Sequence, residues 1–490
     1  MASKNLGGKI LKGSAIVLLL TFFGSIFAYF IRILYSRTLS VEDYGLFYAV
    51  MGLFNVVTTY IDLGFGYSVV YLMPKYIREK KYPEAWNIII HGQTVSFSIT
   101  MLACFLLTVF APFLSDKYFK VPGSESLIYI FCVYLIGYVA LNNLIQIFSG
   151  MQKPKYYSSI TVCKWFLTLV LSLIFFTLGF KNILYFAASL ALGHLITAII
   201  YLFLLVKNHS FLVTGKITLK RSTYTQMTRF ALPSLLETIV STLVINTDIF
   251  LLTLFKGVRE VGVYNVIYPL ASIPIVLFNP INALILPLVS HLMEGERDKL
   301  AFLIEKVMEV VPFISLYFVL FLIIFPSSIV RLIFGPQWGG LVELPLSILS
   351  VGAIGILMYG ILGAVILGMG RVKEKLIGAS IISVISVTIN VILIWQYGIL
   401  GAVITAGFVG LALTLFFTFL INKTISIKIP YLLYLKLFIF SFGLWLLTRS
   451  SGLNPSTWME IIVLGLIYTL IYSILGFILR IYDRKLLSLI

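Results

Sequence analysis

The sequence predicts an all-α integral membrane protein with about 14 transmembrane helices, arranged as two parallel six-helix repeats followed by two C-terminal helices. Three observations predict this fold class. Only 11% of the 490 residues are charged, 60% are apolar and the mean hydropathy is +1.05, whereas soluble domains are about 25% charged. The apolar residues form runs of about 20, the length of helix that crosses a bilayer. Short motifs also recur about 217 residues apart.

The apolar runs are predicted to be helices, because lipid offers no hydrogen-bond partner to an exposed backbone. The weakest separations between them lie at Lys181 and between Tyr397 and Gly401. The predicted spans are residues 13–36, 44–71, 89–114, 125–149, 157–180, 182–206, 229–255, 265–290, 305–332, 343–369, 377–397, 400–421, 431–449 and 458–480.

The distribution of positive charge predicts the orientation of these spans. Lys and Arg number 36 against 19 Asp and Glu, giving a net charge of +17. These cations lie in short segments between spans rather than in a basic domain, so nucleic acid is not an expected partner. About 24 of them fall on the side of the two termini and about 8 on the other. Since Lys- and Arg-rich loops stay in the cytoplasm, we expect a multi-pass cell-membrane protein with both termini cytoplasmic.

Four pairs of motifs indicate an internal duplication. They are Val41-Glu-Asp-Tyr-Gly-Leu-Phe47 with Val258-Arg-Glu-Val-Gly-Val-Tyr264, Pro74 with Pro287, Gly150-Met151 with Gly368-Met369, and Gly179 with Gly398. The predicted organisation is an N-terminal six-helix lobe (1–206), a cytoplasmic linker (207–228), a C-terminal six-helix lobe (229–421), and two extra helices with a cytoplasmic tail (422–490). Repeats of six spans point the same way across the membrane, as in transporters with parallel repeats, and a cleft between them suits alternating access.

Polar residues at helical spacing identify the spans that would line this cleft. Asn55 and Asp62 share a face of span two, and Asn265 and Asn279 share a face of span eight. Spans one and seven carry similar stripes and hold equivalent places in the repeats. We therefore expect spans one, two, seven and eight to face a common polar cleft. Small polar residues also join membrane helices to one another, so for any single Ser or Thr that alternative stays open.

Charged residues inside spans are the strongest candidates for function, since a charge at mid-bilayer costs about 2.5–3.5 kcal/mol. By depth they fall into two layers, which we interpret as gates or head-group contacts. Structural ion pairing remains the alternative. The outer layer is Arg32 with Asp248, and the inner layer is Lys164 with Asp62 and Glu237.

No cofactor or metal site is expected from the sequence. The excess of carboxylates among these charges leaves room for a coupling ion, H+ or Na+. His194, near the middle of span six, could relay protons, although packing is the favoured role.

Several of these motifs resemble a known family. Ser36-Arg-Thr-Leu-Ser-Val-Glu-Asp-Tyr-Gly-Leu-Phe47, Asp62-Leu-Gly-Phe-Gly66 and Gly150-Met-Gln-Lys-Pro154 are similar to the pattern of prokaryotic polysaccharide (O-antigen-type) flippases. That family belongs to an exporter superfamily with multidrug antiporters and the peptidoglycan lipid flippase. The resemblance implies a polyprenyl-phosphate- or pyrophosphate-linked oligosaccharide as substrate, turned to the outer leaflet for surface-polysaccharide or glycoprotein-glycan synthesis. It implies that Arg32 and Lys164 contact the phosphate-sugar head, and that membrane lipids and glycan polymerase or ligase machinery are partners.

Two alternatives remain at this stage. A multidrug or cation antiporter of the same superfamily would use the three carboxylates Asp62, Glu237 and Asp248. A membrane glycan polymerase or ligase is disfavoured because no external loop is longer than about a dozen residues and no catalytic cluster is evident. We therefore expect a transporter and not an enzyme.

Overall fold

A computed structural model of the chain describes the backbone of residues 2–213, 221–245 and 247–479, apart from the side chains of residues 2–15, 213, 236, 237, 239–245 and 280–283. Over these residues the chain forms helices and no β-strand, which confirms the predicted all-α class. The α-helices are α1 (Ala2–Thr38), α2 (Val41–Tyr60), α3 (Phe65–Arg78), α4 (Tyr82–Val109), α5 (Ala111–Phe113), α6 (Glu125–Gly150), α7 (Pro154–Thr177), α8 (Ile183–Asn208), α9 (Ser210–Val213), α10 (Arg221–Ile245), α11 (Thr247–Lys256), α12 (Val258–Ala271), α13 (Ile273–Met293), α14 (Arg297–Ile324), α15 (Pro326–Phe334), α16 (Glu343–Gly368), α17 (Val372–Tyr397), α18 (Ile399–Thr424), α19 (Tyr431–Ser450) and α20 (Trp458–Ile478). A π-helical turn follows α5 (Leu114–Phe119) and a 3₁₀ segment follows α15 (Pro336–Leu341).

Within the described residues, 11 helices are long and apolar enough to cross a membrane. Two bent pairs add two more spans: α2 with α3 at 48°, and α12 with the first part of α13 at 46°. These correspond to 13 of the predicted spans. The remaining one, predicted at 229–255, falls on α10 and α11, with Asn246 outside the described residues.

Several boundaries differ from the prediction by five residues or more, and two of these differences have identifiable reasons. The sequence predicts that the third span begins at residue 89, but α4 begins at Tyr82, because polar residues in its first turns mask the start of the helix. It predicts a continuous ninth span at 305–332, but α14 ends at Ile324 and a separate helix, α15, begins at Pro326. Proline cannot donate the hydrogen bond that would continue the helix.

The chain packs into two compact units, Met1–Arg259 and Glu260–Ile490. In the first unit α1 packs along α7, and α8 packs against both α6 and α7. Tyr35 joins three of these helices: its hydroxyl lies 2.9 Å from Oγ of Ser172 on α7 and donates to the Phe186 carbonyl of α8 at 3.0 Å. Because Tyr35 is 1% exposed, these bonds fix the position of α1 against its neighbours.

Helices α10 and α11 belong to the same unit and pack on α2, α3 and α4. Ser68 Oγ on α3 donates to the Met227 carbonyl of α10 at 2.8 Å. At the other end, the Tyr118 hydroxyl donates to the Phe250 carbonyl of α11 at 3.2 Å. The α10–α11 segment is thus held at both ends by helices from the first part of the chain.

In the second unit α16 and α18 pack closely along glycines. A Cβ added to Gly352 would come within 2.7 Å of the Gly407 Cα, and one added to Gly355 within 2.8 Å of the Gly410 carbonyl carbon. Glycines at membrane-helix interfaces allow the backbones to approach.

The last two helices dock on α14 through tyrosines. The Tyr434, Tyr468 and Tyr472 hydroxyls donate to its Met308, Tyr317 and Phe313 carbonyls at 2.7–2.8 Å. The two C-terminal helices are therefore part of the second unit's packed structure.

The Gly-Met motifs end their helices in the same way in each unit. After Gly150, the Lys153 amide donates to the Phe148 carbonyl at 2.9 Å and Gln152 has φ +58°. After Gly368, the Arg371 amide donates to the Ile366 carbonyl at 3.1 Å and Gly370 has φ +76°. The residue in the left-handed region and the bond across it are features of a helix C-cap. The parallel arrangement of the repeats and the predicted lobe boundaries stay predictions.

Candidate functional site

Arg32 lies near the end of α1 and faces aromatic side chains of α2. Its guanidinium carbon is 4.8 Å from the centre of the Tyr48 ring. Tyr48 in turn packs on Tyr44, with ring centres 4.7 Å apart. Arg32 is half-buried, and a cation over an aromatic face gains about 0.5–2 kcal/mol. These rings orient the guanidinium at a position where an uncompensated charge would be costly.

Lys164 lies near the middle of α7, the helix that packs along α1. Its Nζ is 5.2 Å from the centre of the Trp165 ring. Among the described residues this ammonium has no hydrogen-bond or ion-pair partner, and the side chain is half-buried. The predicted partner Glu237 lies on α10, and its side chain is outside the described residues. Lys164 is thus a half-buried cation beside an aromatic ring in a spanning helix, and its role as a ligand contact stays a prediction.

Asp62 occupies the break between α2 and α3. Its Oδ1 accepts from the Gly64 amide at 2.9 Å, and its Oδ2 accepts from Nε2 of Gln146 on α6 at 2.9 Å. Gly64 has φ +79° and lies against the Ala231 carbonyl of α10. Both carboxylate oxygens thus have a role in holding the 48° bend. The predicted contact of Asp62 with Lys164 stays a prediction.

The other candidates of the first unit lie on the same set of helices. Asn55 is half-buried on α2, and its carbonyl accepts from the Thr58 and Thr59 hydroxyls at 2.8 and 3.0 Å. Asp248 is 7% exposed in the first turn of α11, where the helix dipole favours a negative charge. Its predicted ion pair with Arg32 stays a prediction.

The two asparagines of span eight differ in their surroundings. Asn265 on α12 is buried, and its Nδ2 donates to the Val261 carbonyl one turn earlier at 3.0 Å. Asn279 on α13 is exposed at the surface of the second unit. Both therefore lie on the bent span, at different degrees of exposure.

His194 is enclosed by packing. It is 1% exposed, its Nδ1 lies 2.8 Å from the Leu190 carbonyl, and the rings of Tyr134 and Trp165 are 4.9 and 5.8 Å away. These contacts agree with the packing role that the sequence favoured over a proton relay.

The sequence interpretation missed the partners of the charged residues. Gln146 bonds to Asp62 across 84 positions, and Tyr48 and Trp165 supply the ring faces for Arg32 and Lys164. One signal was present for Gln146: it follows Asn143 by three positions on span four, the spacing that identified the other polar stripes. The aromatic residues carry no comparable signal, because Phe, Tyr and Trp make up 15% of the chain.

Comparison with solved structures identifies the fold. The lipid II flippase MurJ in an inward closed conformation has a TM-score of 0.73 at 14% identity, covering 95% of this chain and 99% of that one. An inward-facing multidrug resistance transporter of the MATE family, in the MOP superfamily, has a TM-score of 0.66 at 17% identity, covering 83% and 97%. A MOP-superfamily transporter from Pyrococcus furiosus has a TM-score of 0.53 at 16% identity, covering 84% and 96%. The chain thus has the fold of these transporters.

Sequence comparison identifies the family. An uncharacterized membrane protein of Methanocaldococcus jannaschii is 27% identical over 502 aligned residues, covering 97% of each chain. The family model described as polysaccharide biosynthesis protein matches residues 10–293. This match includes Arg32, Asp62, Lys164 and Asp248, and it extends over more than half of the sequence. The chain is a multi-pass membrane protein that belongs to the polysaccharide biosynthesis protein family.

Proposed function

We infer that this protein turns a polyprenyl-phosphate- or pyrophosphate-linked oligosaccharide from the cytoplasmic to the outer leaflet of the cell membrane. The inference combines its family, whose description is polysaccharide biosynthesis, with its flippase-like fold. A sugar-phosphate head cannot cross hydrocarbon unaided, because its polar groups would lose their hydrogen bonds. A protein path lined by polar side chains removes that cost while the lipid chain stays in the bilayer.

The position of the Lys164 ammonium is the observation that favours an anionic substrate. Its ammonium lies near the middle of a spanning helix with no anionic partner among the described residues. A charge at such a depth costs about 2.5–3.5 kcal/mol, and a phosphate would offset that cost when it binds. Arg32, held over Tyr48 on the neighbouring helix in the outer layer, supplies a second cation that the head group would meet further along its path.

The environment of Asp62 argues against the main alternative, a multidrug or cation antiporter. Such a protein needs a carboxylate that can bind a cation or a proton. Asp62 already accepts two hydrogen bonds, from Gly64 and Gln146, each at 2.9 Å. Asp248 and Glu237 remain candidates for a coupling ion, H+ or Na+, within the flippase proposal.

The proposed topology places both termini in the cytoplasm, because Lys and Arg are concentrated on their side. Transport proceeds by alternating access between the repeats, without covalent chemistry. Membrane lipids and a glycan polymerase or ligase are the proposed partners, since the product must be consumed on the outer surface.

Depletion of the protein in its native cell tests the proposal. We expect the lipid-linked oligosaccharide to accumulate in the cytoplasmic leaflet, and re-expression of the wild type to reverse this. Re-expression of Lys164→Met should restore less transport than the wild type, whereas Lys155→Met, at an exposed position on the same helix, should restore it fully. An unchanged leaflet distribution together with altered drug sensitivity would instead identify an antiporter.

A further inference from the structure

A polar cavity of about 740 Å³ lies at one end of the second unit, where α14 and α19 end and α16 begins. On the proposed topology this end faces the outside. It is remote in sequence from the candidate residues of the first unit and belongs to other helices. Its polar lining includes Ser327, Ser328, Arg331, Glu343, Arg449 and Asn454.

Arg331 is held in a defined position in this cavity. Its Nη2 donates to Asn454 Oδ1 at 2.8 Å, and its Nε donates to the Ser327 carbonyl at 3.3 Å. Its stem packs on Gly339, where an added Cβ would come within 2.5 Å of the Arg331 Cγ and Cδ. An arginine whose side chain only extended to the membrane surface would not need these two hydrogen bonds and this close packing on Gly339. The guanidinium is preorganised, and the cavity gives it access to a ligand.

The charges of the cavity are not balanced by the protein. Glu343 accepts a hydrogen bond from the Ser327 hydroxyl at 2.8 Å. Within the described part of the chain, neither Arg331 nor Arg449 forms an ion pair with a carboxylate, and the exposed Arg449 guanidinium has no acceptor. The cavity is lined by two guanidinium groups and one carboxylate. This excess of positive charge would stabilise a bound anion. The planar fork of arginine matches the oxygens of a phosphate.

The polar cavity shares lining residues with two apolar cavities of about 870 and 410 Å³. Ile323 lines all three, and Trp445 is shared by the polar cavity and the smaller apolar one. The larger apolar cavity runs along α14 from Ile323 to Met308, which is about 22 Å at the rise of an α-helix. This groove is lined mostly by apolar side chains, which suits a hydrocarbon chain, and it offers no charged group to a free anion.

We propose that this composite site binds an anionic phospholipid, with its phosphate between Arg331 and Arg449 and a hydrocarbon chain in the groove between α14, α16, α18 and α19. A phospholipid is the occupant that satisfies both parts, since inorganic phosphate would leave the groove empty and a neutral lipid would leave the arginines uncompensated. Basic pockets beside apolar helices bind anionic lipid heads in this way. The bound lipid would tie α19, at the C-terminal end of the fold, to α14 and α16.

Native mass spectrometry of the delipidated full chain in detergent tests the proposal. The probes are phosphatidylglycerol, phosphatidylcholine, a polyprenyl phosphate and inorganic phosphate. We expect phosphatidylglycerol to bind about tenfold or more tightly than phosphatidylcholine, since charge-assisted hydrogen bonds carry the preference. Arg449→Gln and Arg331→Gln should each reduce that preference by about tenfold. Lys117→Gln removes one exposed charge outside these cavities and should leave the preference unchanged.

Val351→Trp tests the groove separately, because Val351 is exposed and lines both apolar cavities. It should weaken phosphatidylglycerol binding without touching either arginine.

Arg449 makes no side-chain bonds within the described residues, so its variant keeps the test valid if Arg331→Gln fails to fold. Equal binding of the two phospholipids, or binding of phosphate alone, would overturn the proposal. Binding of polyprenyl phosphate but not phosphatidylglycerol would also overturn it, and would assign the site to the transported lipid. None of these measurements depends on transport.

Discussion

Gln146 on α6 donates from Nε2 to Oδ2 of Asp62 at 2.9 Å, across the break between α2 and α3. The other carboxylate oxygen of Asp62 accepts from the Gly64 amide, so one side chain closes the turn and anchors it to a third helix. The adjoining Gly66 leaves room for the Gln146 amide, which a Cβ at Gly66 would overlap. A charged residue that the sequence selected as a gate or head-group contact thus has a structural role in the fold.

Replacement of Asp62 tests this role through stability. Asp62→Ala removes both bonds and should lower the free energy of unfolding by about 1–3 kcal/mol, because each intramolecular hydrogen bond contributes about 0.5–1.5 kcal/mol. Asp62→Asn should lower it less, because its Oδ1 can still accept from Gly64. Denaturant unfolding in mixed micelles measures both, with Asp116→Ala, at an exposed position, as the control. Equal stability of Asp62→Ala and the control would contradict the structural role.

Removal of the charge at Lys164 should have opposite effects on stability and transport. Lys164→Met keeps the length of the side chain but removes a charge that costs up to about 2.5–3.5 kcal/mol in a spanning helix. We expect a higher free energy of unfolding and slower flipping, whereas Lys164→Arg retains transport. Unfolding in micelles and flipping in proteoliposomes measure the two effects. A variant that lost stability and transport together would indicate that Lys164 is a structural residue.

The ring of Tyr48 should stabilise the charge of Arg32. Tyr48→Leu removes the aromatic face and should cost about 0.5–2 kcal/mol, while Tyr48→Phe keeps the face and should cost less. A double-mutant cycle of Tyr48→Leu with Arg32→Gln separates the interaction energy of the ring and the guanidinium from the other contacts of Arg32. The Tyr48 ring centre lies 4.8 Å from the guanidinium carbon of Arg32. A coupling energy indistinguishable from zero would show that this proximity results from packing and does not stabilise the charge.

His209, which follows α8, should make stability depend on pH. Burial, and then the charge of Lys153, lowers the pKa of His209 from 6.5, and the ring lies 5.7 Å from that of Tyr156. The folded state therefore binds fewer protons at His209 than the unfolded state does. The stability from this site is present above pH 6.5 and is lost as the pH falls below it. In melting scans, the melting temperature should fall as the pH is lowered from 7.5 to 5. His209→Gln should lessen this fall, whereas His291→Gln, at an exposed position, should not.

Features that depend on local sequence could be predicted. Apolar runs identified the spans, and the Gly-Met pairs located two helix ends that have the same capping bonds. Arg32 and Lys164 were located in spanning helices because a charge in a long apolar run is evident from sequence alone.

Features that depend on distant residues could not be predicted. The bond from Gln146 to Asp62 joins helices 84 positions apart, and one tyrosine among 28 could not be selected as the partner of Arg32. Likewise, Arg331 and Asn454 are 123 positions apart, and without their contact the cavity they line has no sequence signature. The separation of α15 from α14 at Pro326 differs from the prediction because the apolar run continues on both sides of the break.

The most direct test of the proposed function uses the purified protein in sealed proteoliposomes that contain a polyprenyl-pyrophosphate-linked oligosaccharide. An added glycosidase that cannot cross the bilayer cleaves only glycans in the outer leaflet. We predict that cleavage stops at about half of the substrate without the protein, proceeds towards completion with it, and is slowed by Lys164→Met but not by Lys155→Met. Cleavage that stops at the same fraction with and without active protein, under every ion gradient imposed, would contradict the proposed flippase activity.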